Sequence, residues 1–248
     1  MTIEIRHRDG RILYTSRGDD LREALDEAIS RRVELAGAKL DGASLRAMDL
    51  EGARLADASL VGADLRSSNL EQIDLSRADL TGALLDGANL EEARLVGAIL
   101  VDASARGANL EEAAFQGADA SRALLTGANM EDCDFRSAKL VGARLSRANL
   151  ERAVFVEADL TDADMKSANL ERCDFQNAKL IRATLAGANV ERSDLRGADL
   201  TDADLTESNF ERCDIDGARM EGCRTSGANF DRVRGTPAGN SPFRGPYR

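Results

Sequence analysis

The sequence predicts an all-β solenoid, a four-sided β-helix of about ten coils with a small hairpin-plus-helix unit at its N-terminus. Three observations predict it. A large apolar residue falls on every fifth position from Leu35 to Phe230, a second pattern repeats every 20 residues, and neither the helical period of 3.6 nor the strand period of 2 holds that phase.

The first element lies outside the repeat. "TIEI" alternates apolar and polar residues, Asp9-Gly10 supplies a turn and "RILYT" returns, so residues 2–15 read as a hairpin. Asp20 and Glu23 then form a capping-box-like helix start. Leu21, Ala24, Leu25, Ala28 and Ile29 follow at helical spacing as one apolar stripe. Residues 1–32 are expected to lay that stripe on the first coil and cover its open edge.

The body spans 33–230. Of its 40 fifth positions, 37 are Leu, Phe, Met, Ile or Val, the exceptions being Ala105, Ala120 and Thr225. Two residues before each large residue stands a small one, Ala in 30 of 40 cases, and 16 of the 21 Gly stand two residues after it. A five-residue unit must therefore turn the chain once, with the large and small residues inward. Glu recurs every 20 residues from Glu51 to Glu211, and Asn does so from Asn69 to Asn229. Stacked residues share an environment, so four units make one coil, and coils about 4.8 Å apart give a rod of roughly 48 Å. Phe115, Phe135, Phe155 and Phe175 fall on one wall and are expected to stack, with Ala105 and Ala120 offsetting Phe115 in its coil. The tail, 231–248, holds all three Pro and is expected to be disordered.

The units "GANLE", "GADLR" and "RADLT" resemble the A(D/N)LXX units of pentapeptide repeat proteins, and the match covers 33–230 without a phase break. The resemblance implies that family's fold, a right-handed quadrilateral β-helix with Leu or Phe stacked inside. Some members act as DNA mimics that bind type II topoisomerases, notably gyrase, and confer resistance to quinolones or peptide toxins. Two features of that branch are missing: its C-terminal dimerisation element, replaced here by a Pro/Gly tail, and the loops that interrupt its coils.

Nothing in the pattern points to catalysis, a cofactor or a metal. The glycines follow the five-residue period instead of forming a phosphate loop. Cys133, Cys173 and Cys213 share a wall two coils apart, roughly 9.6 Å, beyond disulfide reach, and Cys223 lies on an opposite wall. With no CxxC pair and one His outside the repeat, the four read as buried free thiols and not a zinc site. His7 reads as an exposed turn-flanking residue. Acid pairs such as Asp162 with Asp164 read as a solvated face.

Charge carries the remaining information. The net charge is −11; residues 1–32 balance seven bases with seven acids and 231–248 carry +3, leaving −14 on the body. That is one net charge per ~3.4 Å, against ~1.7 Å for duplex DNA, so direct nucleic-acid binding is disfavoured. On the Glu wall, Arg152, Arg172, Arg192 and Arg212 break up the acid in the C-terminal half. Glu91, Glu92, Glu111, Glu112, Glu131 and Asp132 form the acidic stretch where a basic partner would dock. No apolar run approaches 18 residues, and the N-terminus has no secretory h-region, so a soluble cytoplasmic protein is expected. The leading function is a rigid, non-catalytic protein-interaction rod with an unidentified partner. A DNA-mimicking topoisomerase modulator and an architectural spacer are the alternatives. The oligomeric state stays open, an end-to-end dimer included.

Overall fold

The computed structural model describes residues 2–239. It opens with an antiparallel hairpin, β1 (Ile3–Arg6) and β2 (Ile12–Ser16), followed by one helix, α1 (Leu21–Ser30). From residue 35 to residue 238 the chain is a solenoid. Parallel bridges link residues 20 apart, from Lys39 with Ser59 through Asn109 with Asn129 to Asp214 with Arg234.

The repeat follows from where each backbone N–H finds an acceptor, as residues 89–93 show. Asn89 N–H donates to Ser68 O of the preceding coil at 2.9 Å, and Leu90 N–H donates to Asn109 O of the following coil at 2.6 Å. Glu92 N–H donates to Glu111 O at 2.9 Å. Ala93 N–H closes the corner on Leu90 O at 3.0 Å. One donor, Glu91 N–H, has no backbone acceptor, and the Asn89 side chain takes it through Oδ1 at 3.4 Å. Asp79 does the same for Thr81 at 3.0 Å and Asp159 for Thr161 at 3.1 Å. The Asp or Asn before each large residue thus supplies an acceptor for the donor that the turn would leave bare.

The corner also dictates backbone sign. All 41 residues at positions 32, 37, 42 and so on to 232 have φ between +53° and +71°. This is the third residue of each turn, where a positive φ is required. Sixteen of them are Gly, which adopts that region without a Cβ penalty.

Inside, the large and small residues make one continuous core from Ile5 to Val233. The rings of Phe115, Phe135, Phe155 and Phe175 stack at centroid separations of 4.7, 5.0 and 4.9 Å, and Phe210 stacks on Phe230 at 5.2 Å. The four thiols are free and buried. Each donates S–H to a carbonyl 23 residues earlier, as Cys133 does to Leu110 O at 2.9 Å. Ser68 and Ser193 make the same bond from the same position, so Cys here acts as a small donor more than as an enlarged Ala.

The hairpin is seated on the first coil. Arg8 N–H donates to Gly37 O at 2.9 Å and Lys39 N–H to Arg6 O at 2.8 Å. His7 is therefore not the exposed residue expected from its neighbours. Its ring lies over Gly37, where an added Cβ would meet Nε2 at 2.1 Å. Asp20 caps α1 by accepting from Glu23 N–H at 3.0 Å, and Glu23 reaches back one residue further than expected, to Asp19 N–H at 2.7 Å. Ala24, Leu25 and Ala28 are fully buried against the core. At the other end, Arg234 and Ala238, placed in the tail by the sequence reading, still bridge Asp214 and Arg219. The rest of that tail, 240–248, lies outside the described residues.

Candidate interaction surfaces

The Glu wall is a corner ridge. From Asn89 onward to Asn229, each Asn of the adjoining column donates to the Asn below, for example Asn109 to Asn89 Oδ1 at 3.0 Å and Asn129 to Asn109 Oδ1 at 3.1 Å. The Nδ2 groups also reach the ridge: Asn109 donates to Glu91 at 3.1 Å and Asn129 to Glu111 at 3.0 Å. These amides orient the inner carboxylates without neutralising them. Among the described residues the Glu92 side chain accepts only from Gln72, at 3.1 Å. Glu112 has no side-chain partner among the described residues and is exposed.

The acidic stretch is shorter than its sequence suggests. Arg152 Nε donates to Asp132 Oδ1 at 2.8 Å, and its Nη2 bonds Glu131 as well. That guanidinium holds the Asp132 carboxyl below the usual carboxylate range. Glu91, Glu92, Glu111 and Glu112 make no ion pair among the described residues. Beyond Arg152, each Arg of the ridge contacts the Glu of its own coil and that of the coil before, as Arg192 does with Glu191 at 3.4 Å and Glu171 at 3.1 Å.

A second surface, unforeseen from the sequence, lies two five-residue units away, half a turn of the coil. Ile99 is 41% and Val61 38% exposed. Val101 is half-buried beside Ile99, and half-buried Leu84 and Leu124 bracket Ser104 through its bridges. The signal was present: Leu84, Ile99 and Leu124 occupy the position where Asp or Asn is otherwise common, and Val61, Val101, Val141 and Ile181 recur every 40 residues. The expected acid pair of Asp162 and Asp164 is divided between tasks. Asp162 takes Arg182 in a bidentate pair at 2.7 and 2.6 Å, and Asp164 caps Lys166 N–H at 3.1 Å.

Family models fit this geometry. The model described as pentapeptide repeats (8 copies) matches residues 33–72, 73–111 and 106–140, and the pentapeptide repeat region model matches 128–205. HetL, a pentapeptide repeat protein involved in heterocyst differentiation regulation from the cyanobacterium Nostoc sp. strain PCC 7120, is 30% identical, with a TM-score of 0.67 over 87% of this chain and 94% of that one. The chain is a pentapeptide repeat protein. Among other solved pentapeptide repeat proteins, QnrB1, a plasmid-mediated fluoroquinolone resistance protein, is 21% identical over 74% of this chain and 89% of that one, with a TM-score of 0.38. A pentapeptide repeat protein of the Arabidopsis thaliana thylakoid lumen is 28% identical over 46% of this chain and 70% of that one, with a TM-score of 0.21. No curated protein sequence matches this pentapeptide repeat protein. Among its described residues, no helix is long and apolar enough to cross a membrane, and no group of three or more His, Cys, Asp or Glu is placed to hold a metal ion.

Proposed function

We propose that this pentapeptide repeat protein is a non-catalytic, rigid protein-interaction rod. In this reading residues 33–230 wind a right-handed quadrilateral helix of about ten coils, residues 1–32 cap it, and the protein works in the cytoplasm. The observation that carries the reading is the apolar corner of Ile99, Val101, Leu84 and Leu124. An exposed Ile99 flanked by half-buried Val101, Leu84 and Leu124, on a chain with 31% charged residues, marks a contact surface, and apolar contact survives salt that screens exposed charges. The partner is a protein presenting a complementary apolar patch.

The acidic ridge supports a second reading, a DNA-mimicking modulator of gyrase or another type II topoisomerase through Glu91, Glu92, Glu111 and Glu112. One experiment separates the two. The tagged protein is used to capture partners from lysate of its source cell at low salt and at about 0.5 M salt. Two variants run beside it, Ile99→Ser/Val101→Ser and a fourfold Glu→Gln ridge variant. The rod reading predicts a partner retained at high salt and lost with the apolar variant. A topoisomerase lost with salt and with the ridge variant would put the mimic first.

A further inference from the structure

We propose that the corner built from residues 126–127, 146–147 and 166–167 binds a phosphomonoester, either free or as a phosphorylated side chain of the docked partner. These positions stack in three successive coils and enclose a cleft of about 180 Å³ lined by Thr126, Ser146, Arg147, Asp164, Lys166 and Ser167. Thr126 and Ser146 are half-buried and form its floor, while Arg147, Lys166 and Ser167 are exposed at its rim. No hydrogen bond within the described residues engages the hydroxyls of Thr126, Ser146 or Ser167. Three hydroxyls that can donate and two cations meet in one place, which is the donor set a phosphoryl group requires.

Arg147 makes no ion pair among the described residues, and the repeat explains why. Arg77, Arg122, Arg152 and Arg182 hold the equivalent turn position at the other corners of the coil, and each pairs with a carboxylate one coil earlier, Asp57, Asp102, Asp132 and Asp162. One coil before Arg147 stands Gly127, so its guanidinium has no carboxylate to take. Lys166, and Arg144 two residues before Ser146, likewise make no ion pair within the described residues. Against Arg147 and Lys166 the cleft sets one carboxylate, Asp164, whose Oδ1 already accepts the backbone N–H of Lys166 at 3.1 Å. The local balance is positive on a chain of net charge −11. The larger arginine groove of Arg192, Arg212, Arg232 and Arg234 differs here, because Glu171, Glu191 and Glu211 engage the first three of its guanidiniums.

The test is an NMR titration of the full chain with inorganic phosphate, with O-phosphoserine and with a short glycine-flanked phosphoserine peptide. Inorganic sulfate and the unphosphorylated peptide are the controls. Saturable amide shifts are expected at Thr126, Ser146, Arg147 and Ser167, weakening for the phosphomonoester probes below about pH 6 as the dianion takes up a proton. Arg147→Gly removes the guanidinium while giving a φ of +60° to the residue best suited to it, so the fold is retained. It should weaken phosphoserine binding at least tenfold with an unchanged or higher Tm, and Lys166→Gln should act in the same direction. Tighter binding of the peptide than of free phosphoserine assigns the site to a modified partner, and equal binding assigns it to a free phosphomonoester. The absence of saturable shifts with any phosphate probe, or equal affinity in Arg147→Gly, overturns the proposal. Only the peptide arm rests on the interaction-rod reading, and loss of that arm alone leaves the phosphomonoester site standing.

Discussion

At the scale of single residues, the turn position with positive φ sets the sharpest terms. Left-handed backbone costs a non-Gly residue of order 1 kcal/mol, and 25 of the 41 positions hold one. Gly127→Ala adds a Cβ with nothing within 4 Å, so its cost is backbone alone, about 1 kcal/mol. Gly235→Ala, also at positive φ, should cost more, because its Cβ would stand 2.5 Å from the Asp216 backbone N. Ser67→Gly should stabilise, and chemical denaturation of the three variants checks the order. Equal effects of the two Ala variants would contradict it. Asp64 gives a pH test. Its hydrogen bonds from Arg66 hold its carboxyl down to about 2. A folded pKa below the unfolded value of about 3.9 means stability present above about pH 4 and lost as pH falls through about 2. Asp64→Asn should therefore flatten the acid limb of the stability curve between those values, and an unchanged limb would refute the assignment. Residue identity was legible wherever a side chain is read by its own coil. It failed for His7, whose burial depends on Gly37, 30 positions away, and for Asp132, whose partner is Arg152 in the next coil. The period announced that Asp and Asn recur; only the bare N–H of each turn explains why.

At the scale of elements, the interior behaves as a stack of layers with fixed volume. Phe115 is fully buried, and Ala120 and Ala105 in its coil are 2% and 4% exposed. Ala120→Leu should overpack that coil and cost about 1–3 kcal/mol. A thermal melt is sufficient, and an unchanged Tm would mean the coil holds spare room. The hairpin and α1 obey different rules, since turn chemistry and capping specify them locally. Their start signals were readable in Asp9-Gly10 and Asp20, and Asp20→Ala should cost about 1 kcal/mol. The open edge of the first coil predicts their seating but not its contacts. The structure supplies the actual contacts: Arg8 on Gly37, Lys39 on Arg6, and Arg22 Nη1 on Arg46 O at 2.8 Å.

At the scale of the whole molecule, one corner carries uncompensated acid and the corner half a turn away carries exposed aliphatic side chains. The acidic ridge was visible in the sequence because Glu recurs at a fixed interval. The apolar corner was harder to read because its residues spread over three coils and three columns, and only the 20-residue bridges bring Leu84, Ser104 and Leu124 into line. This distribution makes contact chemistry depend on which corner a partner meets, and salt tells the two apart. The most direct measurement is site-specific photocrosslinking in the source cell extract, with the crosslinker placed at Ile99, at Glu92 and at Asp216 as a control corner, at low salt and at about 0.5 M salt. A rod that works through its apolar corner should give a discrete crosslinked partner from position 99 at both salt concentrations and none from position 216. A partner crosslinked only from position 92, and only at low salt, would contradict it.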